Sequence, residues 1–271
     1  MMSNLIQTLE ATAACGAEGL TDEARETLAT ALHTLQCPNG GFAGLDGRSD
    51  MYYSFFTWLA LRALGVTFER ERLCTYAAAT LCAAGGIDTR CAEILLVCEG
   101  RRSRAAGWMT VADALLRGEM RAMYGSFLLA LQADALLPHG VPRWAARCAQ
   151  RRVAQRDWER LPTPQLAAGR VLATLAGESD ASKTSELEGR RQVSGGFASS
   201  VGAPPDLLAT AVARFALWHG NIARDPHATR ADLAFTESCW LEDGLFGASP
   251  TALRGDAEHT FYGLLALGTC R

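Results

Sequence analysis

GGFAGLDGRSDMYYSFFTWLALRALG, residues 40–65, decides the fold. A Gly-Gly-Phe turn leads into a polar loop, then an aspartate, then a run of small and apolar residues that ends in Leu-Gly. Fourteen residues of that composition without a proline read as a helix, and the glycine after Leu64 reads as its stop. The same order returns in SGGFASSVGAPPDLLATAVARFALWHG (194–220) and in DGLFGASPTALRGDAEHTFYGLLALG (243–268).

Fainter copies occupy the middle of the chain: DTRCAEILLVCEG (88–100), EMRAMYGSFLLALQ (119–132) and TPQLAAGRVLATLAG (163–177). Six apolar helices therefore alternate with six amphipathic, Arg- and Glu-bearing ones near 21–36, 69–84, 103–117, 141–158, 180–193 and 226–240. Helix pairs at a period of roughly 30–50 residues mark a helical repeat array. An open array needs polar caps at its ends. Here the first and last copies are the best formed, which predicts a single all-α domain over 1–271. It is an α/α toroid, a closed ring of about six helical hairpins with an inner and an outer helix layer. Residues 1–20 read as an N-terminal extension.

Composition excludes several function classes. The 271 residues carry 29 acidic against 26 basic side chains, a net charge of -3. That balance gives no reason to expect nucleic acid. Lys183 is the only lysine. Nine scattered cysteines form no CxxC pair and read as buried, reduced thiols of a cytoplasmic protein. No secretory leader is legible, and no apolar run approaches the ~20 residues that cross a bilayer.

Residues 40–56 resemble the protein prenyltransferase β-subunit motif GGFxGRxNKxxDxCYSFW. Residues 243–263 resemble that family's DGGF…DxxHTxxG repeat, and 194–213 an earlier repeat. The resemblance implies a toroid whose central cavity takes an isoprenoid, as an isoprenyl diphosphate. It also implies zinc held by Asp50 and His259, with Tyr52 standing where the family has its cysteine ligand. A phenol, with a pKa near ~10 and a hard oxygen, replaces a thiolate poorly. In the family the two ligand-bearing repeats follow one another; here they open and close the chain, so ring closure makes them neighbours in the opposite sense.

Tyr53 matches the tyrosine that contacts diphosphate in the family, and helical spacing from Asp50 makes it the cavity-facing tyrosine. Arg48 falls near the motif's lysine after a one-residue shortening, and Arg90 and Arg254 lie beside other inner-helix starts. The family's transferases work with a helical partner subunit; such a partner, or a homo-oligomer, is the implied assembly.

A second chemistry fits the same place. Asp256-Ala257-Glu258-His259-Thr260 is similar to the DxDDT-type motif of class II terpene cyclases, in which a protonated carboxyl donates its proton to an alkene or epoxide. Asp256 and Glu258 are then candidate acids, with His259 as activator. Tyr52, Tyr53, Phe56, Phe261 and Tyr262, with Tyr124 and Phe127, supply an aromatic lining under either chemistry. A toroid that binds a lipid or a protein without catalysis is the third expectation, since the family's cysteine is missing.

Overall fold

The computed structural model describes residues 4–83, 86–116, 131–137, 143–144, 146–147, 160–178, 181–223 and 225–271. Among them the chain is all-α in class, with eleven helices and two very short hairpins. The helices are α1 (Leu5–Glu18), α2 (Asp22–Thr34), α3 (Met51–Leu64), α4 (Arg70–Ala83), α5 (Gly86–Cys98) and α6 (Arg104–Leu116), followed by α7 (Thr163–Ala176), α8 (Ala181–Glu188), α9 (Leu207–His219), α10 (Pro226–Ser238) and α11 (Ala257–Thr269). The hairpins pair β1 (Phe42–Ala43) with β2 (Ser49–Asp50), and β3 (Phe197–Ala198) with β4 (Pro205–Asp206). The expected helix over 141–158 and the aromatics Tyr124 and Phe127 lie almost wholly or wholly outside the described residues.

One hydrogen-bonded unit is built three times. Gly40, Gly195 and Gly244 all hold a positive φ of 91°, 96° and 79°, which only glycine adopts without strain. Each turn delivers a phenylalanine into the core: Phe42, Phe197 and Phe246 are all essentially inaccessible. Their backbone N–H groups donate to the hydroxyls of Ser54, Thr210 and Thr260, one turn into the following helix. The aspartate before that helix caps it: Asp50 accepts from the N–H of Tyr53, Asp206 from Ala209 and Asp256 from His259. An N-cap aspartate satisfies an orphan donor and complements the helix dipole.

These locks set the helices side by side. The apolar helices stand in the order α5, α3, α11, α9, α7, so the first and last copies, α3 and α11, are direct neighbours. Each of the amphipathic α2, α4, α6, α8 and α10 packs on one or more of these apolar helices. The division follows composition: nearly all of α3 is buried, whereas α2 buries only Leu28 and Leu32.

The segment expected to be an extension is instead a core helix. Asn4 starts α1 with a capping box to Gln7, and Leu5, Ile6, Leu9, Thr12, Ala13, Gly16 and Ala17 are buried. The helix packs on α11 and α3, toward their C-terminal ends. Its Glu10 pairs with Arg62 at the end of α3, which also reaches Glu99 beyond α5. The backbone N–H of Leu5 donates to Asp134. Against α11 the approach is backbone to backbone: a Cβ on Gly16 would fall on the Leu264 carbonyl, and one on Gly268 on the Thr12 carbonyl. Gly268→Ala is therefore expected to lower stability by about 1–3 kcal/mol through overpacking. Urea melts check this, with Ala11→Ser on the exposed side of α1 as the neutral control.

Candidate functional site

Two matching stripes define the site. On α3, Tyr52 heads Phe55, Phe56 and Leu59; on α11, Glu258 heads Phe261, Tyr262 and Leu265. Both sets have i, i+3, i+4, i+7 spacing, which places each on one helical face. The six apolar members line a cavity of about 70 Å³. Its other walls include Leu208, Val212 and Phe215 of α9 and Pro164, Ala168 and Val171 of α7, and Leu9 of α1 lies on its floor. Pro164 and Leu208 are the second residues of their helices and are partly exposed, so the cavity extends toward the N-terminal ends of the row. Phe56 ties the two stripes together, with its ring 5.7 Å from Phe261 and 5.2 Å from Tyr262.

The two stripe heads meet. The Tyr52 hydroxyl donates to Glu258 Oε1 at 2.5 Å, 206 residues away in sequence. One residue on, His259 Nδ1 lies 2.8 Å from Asp256 Oδ2. Burial pushes the Glu258 carboxyl up, and the fields of Asp256 and Asp206 add to this; the Tyr52 hydrogen bond and His259 oppose it without cancelling it. For His259, burial works against the charge, but the hydrogen bond and field of Asp256 outweigh it and its pKa rises. The result is a buried carboxyl with a raised pKa, beside a histidine whose hydrogen bond to Asp256 favours the charged imidazole.

Several expected residues take other roles. Tyr52, rather than Tyr53, heads the cavity stripe, because Asp50 is a cap outside the helix and its spacing does not define the inward face. Tyr53 packs beside the loop glycine Gly44. Burial first, then Asp256, Glu258 and Asp50, push its phenol up to about 12, so it stays protonated. Asp50 spends its carboxylate on the α3 cap, and His259 bonds to Asp256 of its own helix instead of joining Asp50.

The arginines do not gather into an anion cradle either. Arg48 is an exposed loop residue. Arg90 is buried and donates to Gln132 and to the Thr110 carbonyl, toward α6. Arg254 donates to the Leu45 carbonyl. The helix starts carry acids: Asp50, Asp206, Asp256, Glu258 and, on α5, Asp88, whose carboxyl is pushed up by burial and by Asp50. Cys91 is fully buried, and burial followed by Asp88, Asp50 and Glu258 pushes its thiol far up, which removes it as a nucleophile. Asp88 and Cys91 were not expected at this rim; nothing in the α5 segment distinguishes them from core residues.

The chain matches no family model and no curated protein. The fit to zinc therefore rests on the donors themselves. The family's Asp, Cys and His set is not reproduced, since Asp50 is a cap and the Tyr52 hydroxyl is engaged with Glu258. Asp256, Glu258 and His259 do bring ligand atoms within 4.8 Å of one another. All three come from one helical turn, and the Asp256–His259 bond already occupies two of them. The residues do not fit the zinc site that the resemblance implies.

The raised Glu258 value has a measurable sign. The folded protein holds this proton more tightly than the unfolded chain, so stability falls as pH rises from ~4.3 through the folded value. Glu258→Gln abolishes that slope and keeps an acceptor for Tyr52. Urea melts are expected to show the variant gaining on wild type as pH rises, with a constant difference below about pH 4. A difference independent of pH from 4 to 8 would contradict the assignment.

Proposed function

We propose that the chain is a closed α/α toroid that takes a neutral isoprenoid chain into its apolar lumen and protonates it from Glu258. Closure is supported by the α3–α11 contact and by residues 131–137. There Leu131 lines the cavity with residues of α7, and Gln132 bonds to Arg90 of α5, contacts that support closure of the row into a ring. The observation that carries the chemistry is the head of the lumen: a buried carboxyl with a raised pKa, in line with the aromatic lining of α11, held by Tyr52 at Oε1. Oε2 is left to carry the proton.

Protonating an alkene needs a strong acid in a place water does not level. The His259–Asp256 pair favours release, because an adjacent imidazolium stabilises the carboxylate that remains. Aromatic faces of Phe56, Phe261 and Tyr262 then stand where positive charge develops on carbon. Proton donation is favoured over diphosphate transfer because the helix starts carry carboxylates rather than an arginine cradle, and because the family's thiolate position holds a tyrosine already committed to Glu258.

At about 70 Å³ the cavity is roughly half the size of an engineered cavity that accepts benzene. A polyprene must move lining side chains and extend out through the mouth. The test is incubation with linear polyprenes such as squalene in D₂O, followed by mass analysis of products for one incorporated deuteron. Glu258→Gln is expected to reduce turnover about 10²–10⁴-fold while leaving substrate binding intact. Full activity in that variant, or turnover that requires stoichiometric zinc, would sink the proposal. Purified protein is expected to carry far less than one equivalent of zinc, and EDTA to leave its melting temperature unchanged.

A further inference from the structure

A second cavity, of about 270 Å³, shares no lining residue with the apolar one. It lies where α8, α9 and α11 end and α10 begins. An ionic knot builds one wall. Asp232 of α10 is fully buried, and its Oδ1 accepts from the N–H of Gly196 at 2.9 Å. Its Oδ2 accepts from both Arg214 Nη1, at 2.6 Å, and Arg191 Nη1, so the two guanidiniums are neighbours. Arg214 Nη2 also donates to the Thr269 carbonyl at the end of α11, and Arg191 to Glu188. Each of these terminal nitrogens carries a second N–H, which an acceptor inside the cavity can take.

The other walls differ in kind. After α9 the Ile222 N–H turns back to the Leu217 carbonyl, and Leu217, Trp218 and Ile222 give the cavity apolar surface. At the start of α10, Asp225 lines it as well. Asp225 is exposed and caps the helix with Oδ1, which accepts from the His227 N–H. Its second oxygen is the one that can take a further donor.

We infer that this cavity binds a free α-amino acid with an apolar side chain. The carboxylate lies on Arg214 and Arg191, the ammonium on Asp225, and the side chain against Leu217, Trp218 and Ile222. The knot on Asp232 accounts for the buried arginines, but a purely structural knot needs no cavity of mixed lining beside it. Size points to a small guest, since about 270 Å³ is just below the ~300–1,000 Å³ of pockets for drug-sized ligands. Charge then selects among small guests. The two guanidiniums already face Asp232 and Glu188, and Asp225 is a third carboxylate. With no surplus positive charge, the site does not suit a doubly charged anion such as phosphate. A zwitterion adds no net charge and offers each wall its complement. Nothing in this reading rests on the isoprenoid proposal.

The experiment is calorimetric titration of the full-length protein with L-leucine, with no isoprenoid present. Wild type is expected to bind one equivalent. 4-Methylpentanoate, which lacks the ammonium, should bind roughly 5-fold more weakly. Leucinamide, which lacks the carboxylate, should bind at least ~10-fold more weakly. Asp225→Asn keeps a good helix cap and removes the charge. It should lower leucine affinity to that of 4-methylpentanoate and leave 4-methylpentanoate itself unaffected. Ala228→Leu, on a partly exposed residue of the same cavity, fills it and should abolish binding without changing the melting temperature. Absence of leucine binding would overturn the inference. So would equal binding of 4-methylpentanoate or leucinamide, tighter binding of inorganic phosphate, or undiminished leucine binding in Ala228→Leu. The ligand series on wild type decides the matter even where a variant fails to fold, and its outcome is independent of the deuterium experiment on Glu258.

Discussion

A buried backbone N–H that must find an acceptor organises this molecule. Each repeat drives a phenylalanine into the core, and the peptide N–H that goes with it cannot reach water. A hydroxyl one turn into the next helix accepts it: Ser54, Thr210 or Thr260. Leaving such a donor unpaired costs about 1–3 kcal/mol. The bond also fixes the rotation of the helix relative to its hairpin. Once Ser54 faces the Phe42 peptide, Asp50 must cap and Tyr52 must point inward. Applied to α11, the same geometry turns Glu258 toward Tyr52 of α3.

The Tyr52–Glu258 and Asp256–His259 contacts are thus a by-product of a structural lock with two substitutions in its first turn. In α9 the corresponding turn carries Leu208 and Ala209, and the cavity wall there is apolar. In α11 the equivalent positions hold Glu258 and His259. A glutamate in that place is stripped of water by its neighbours, and the cap aspartate, already anchored by its other oxygen to the His259 N–H, is close enough to charge the imidazole. Tyr52 completes the arrangement from α3. Its hydroxyl supplies the hydrogen bond that a buried carboxyl needs.

Helix boundaries and the layer division were legible because the repeat states them three times over and because glycine, aspartate and phenylalanine each have a position-specific physical duty in it. The site was half legible. Glu258, Asp256 and His259 stand out by their chemistry, and Tyr52 by the cysteine it replaces. The pairing of Tyr52 with Glu258 is also written in the sequence, as two apolar stripes with the same spacing, but only if the count begins inside the helix. Counting from Asp50, which lies outside it, selects Tyr53. The directions of Arg90 and Arg254 were not legible, since a guanidinium reaches its partner through four rotatable bonds. Nor was α1: LIQTLEATAACGAE lacks the repeat's punctuation, and its small residues gain meaning only from Gly268 at the other end of the chain.

That last contact has a consequence for how the protein is made. Helix α1 packs chiefly on α11, which is translated long after it, and Gly19 lies against the Arg271 side chain. While the ribosome is still translating the middle of the chain, α1 has only α3 to rest on, and the surface it buries against α11 stays uncovered. Contacts of such sequence separation form slowly and expose the nascent chain to aggregation. The cavity therefore acquires its α11 wall, and α1 its main support, only once α11 has been made.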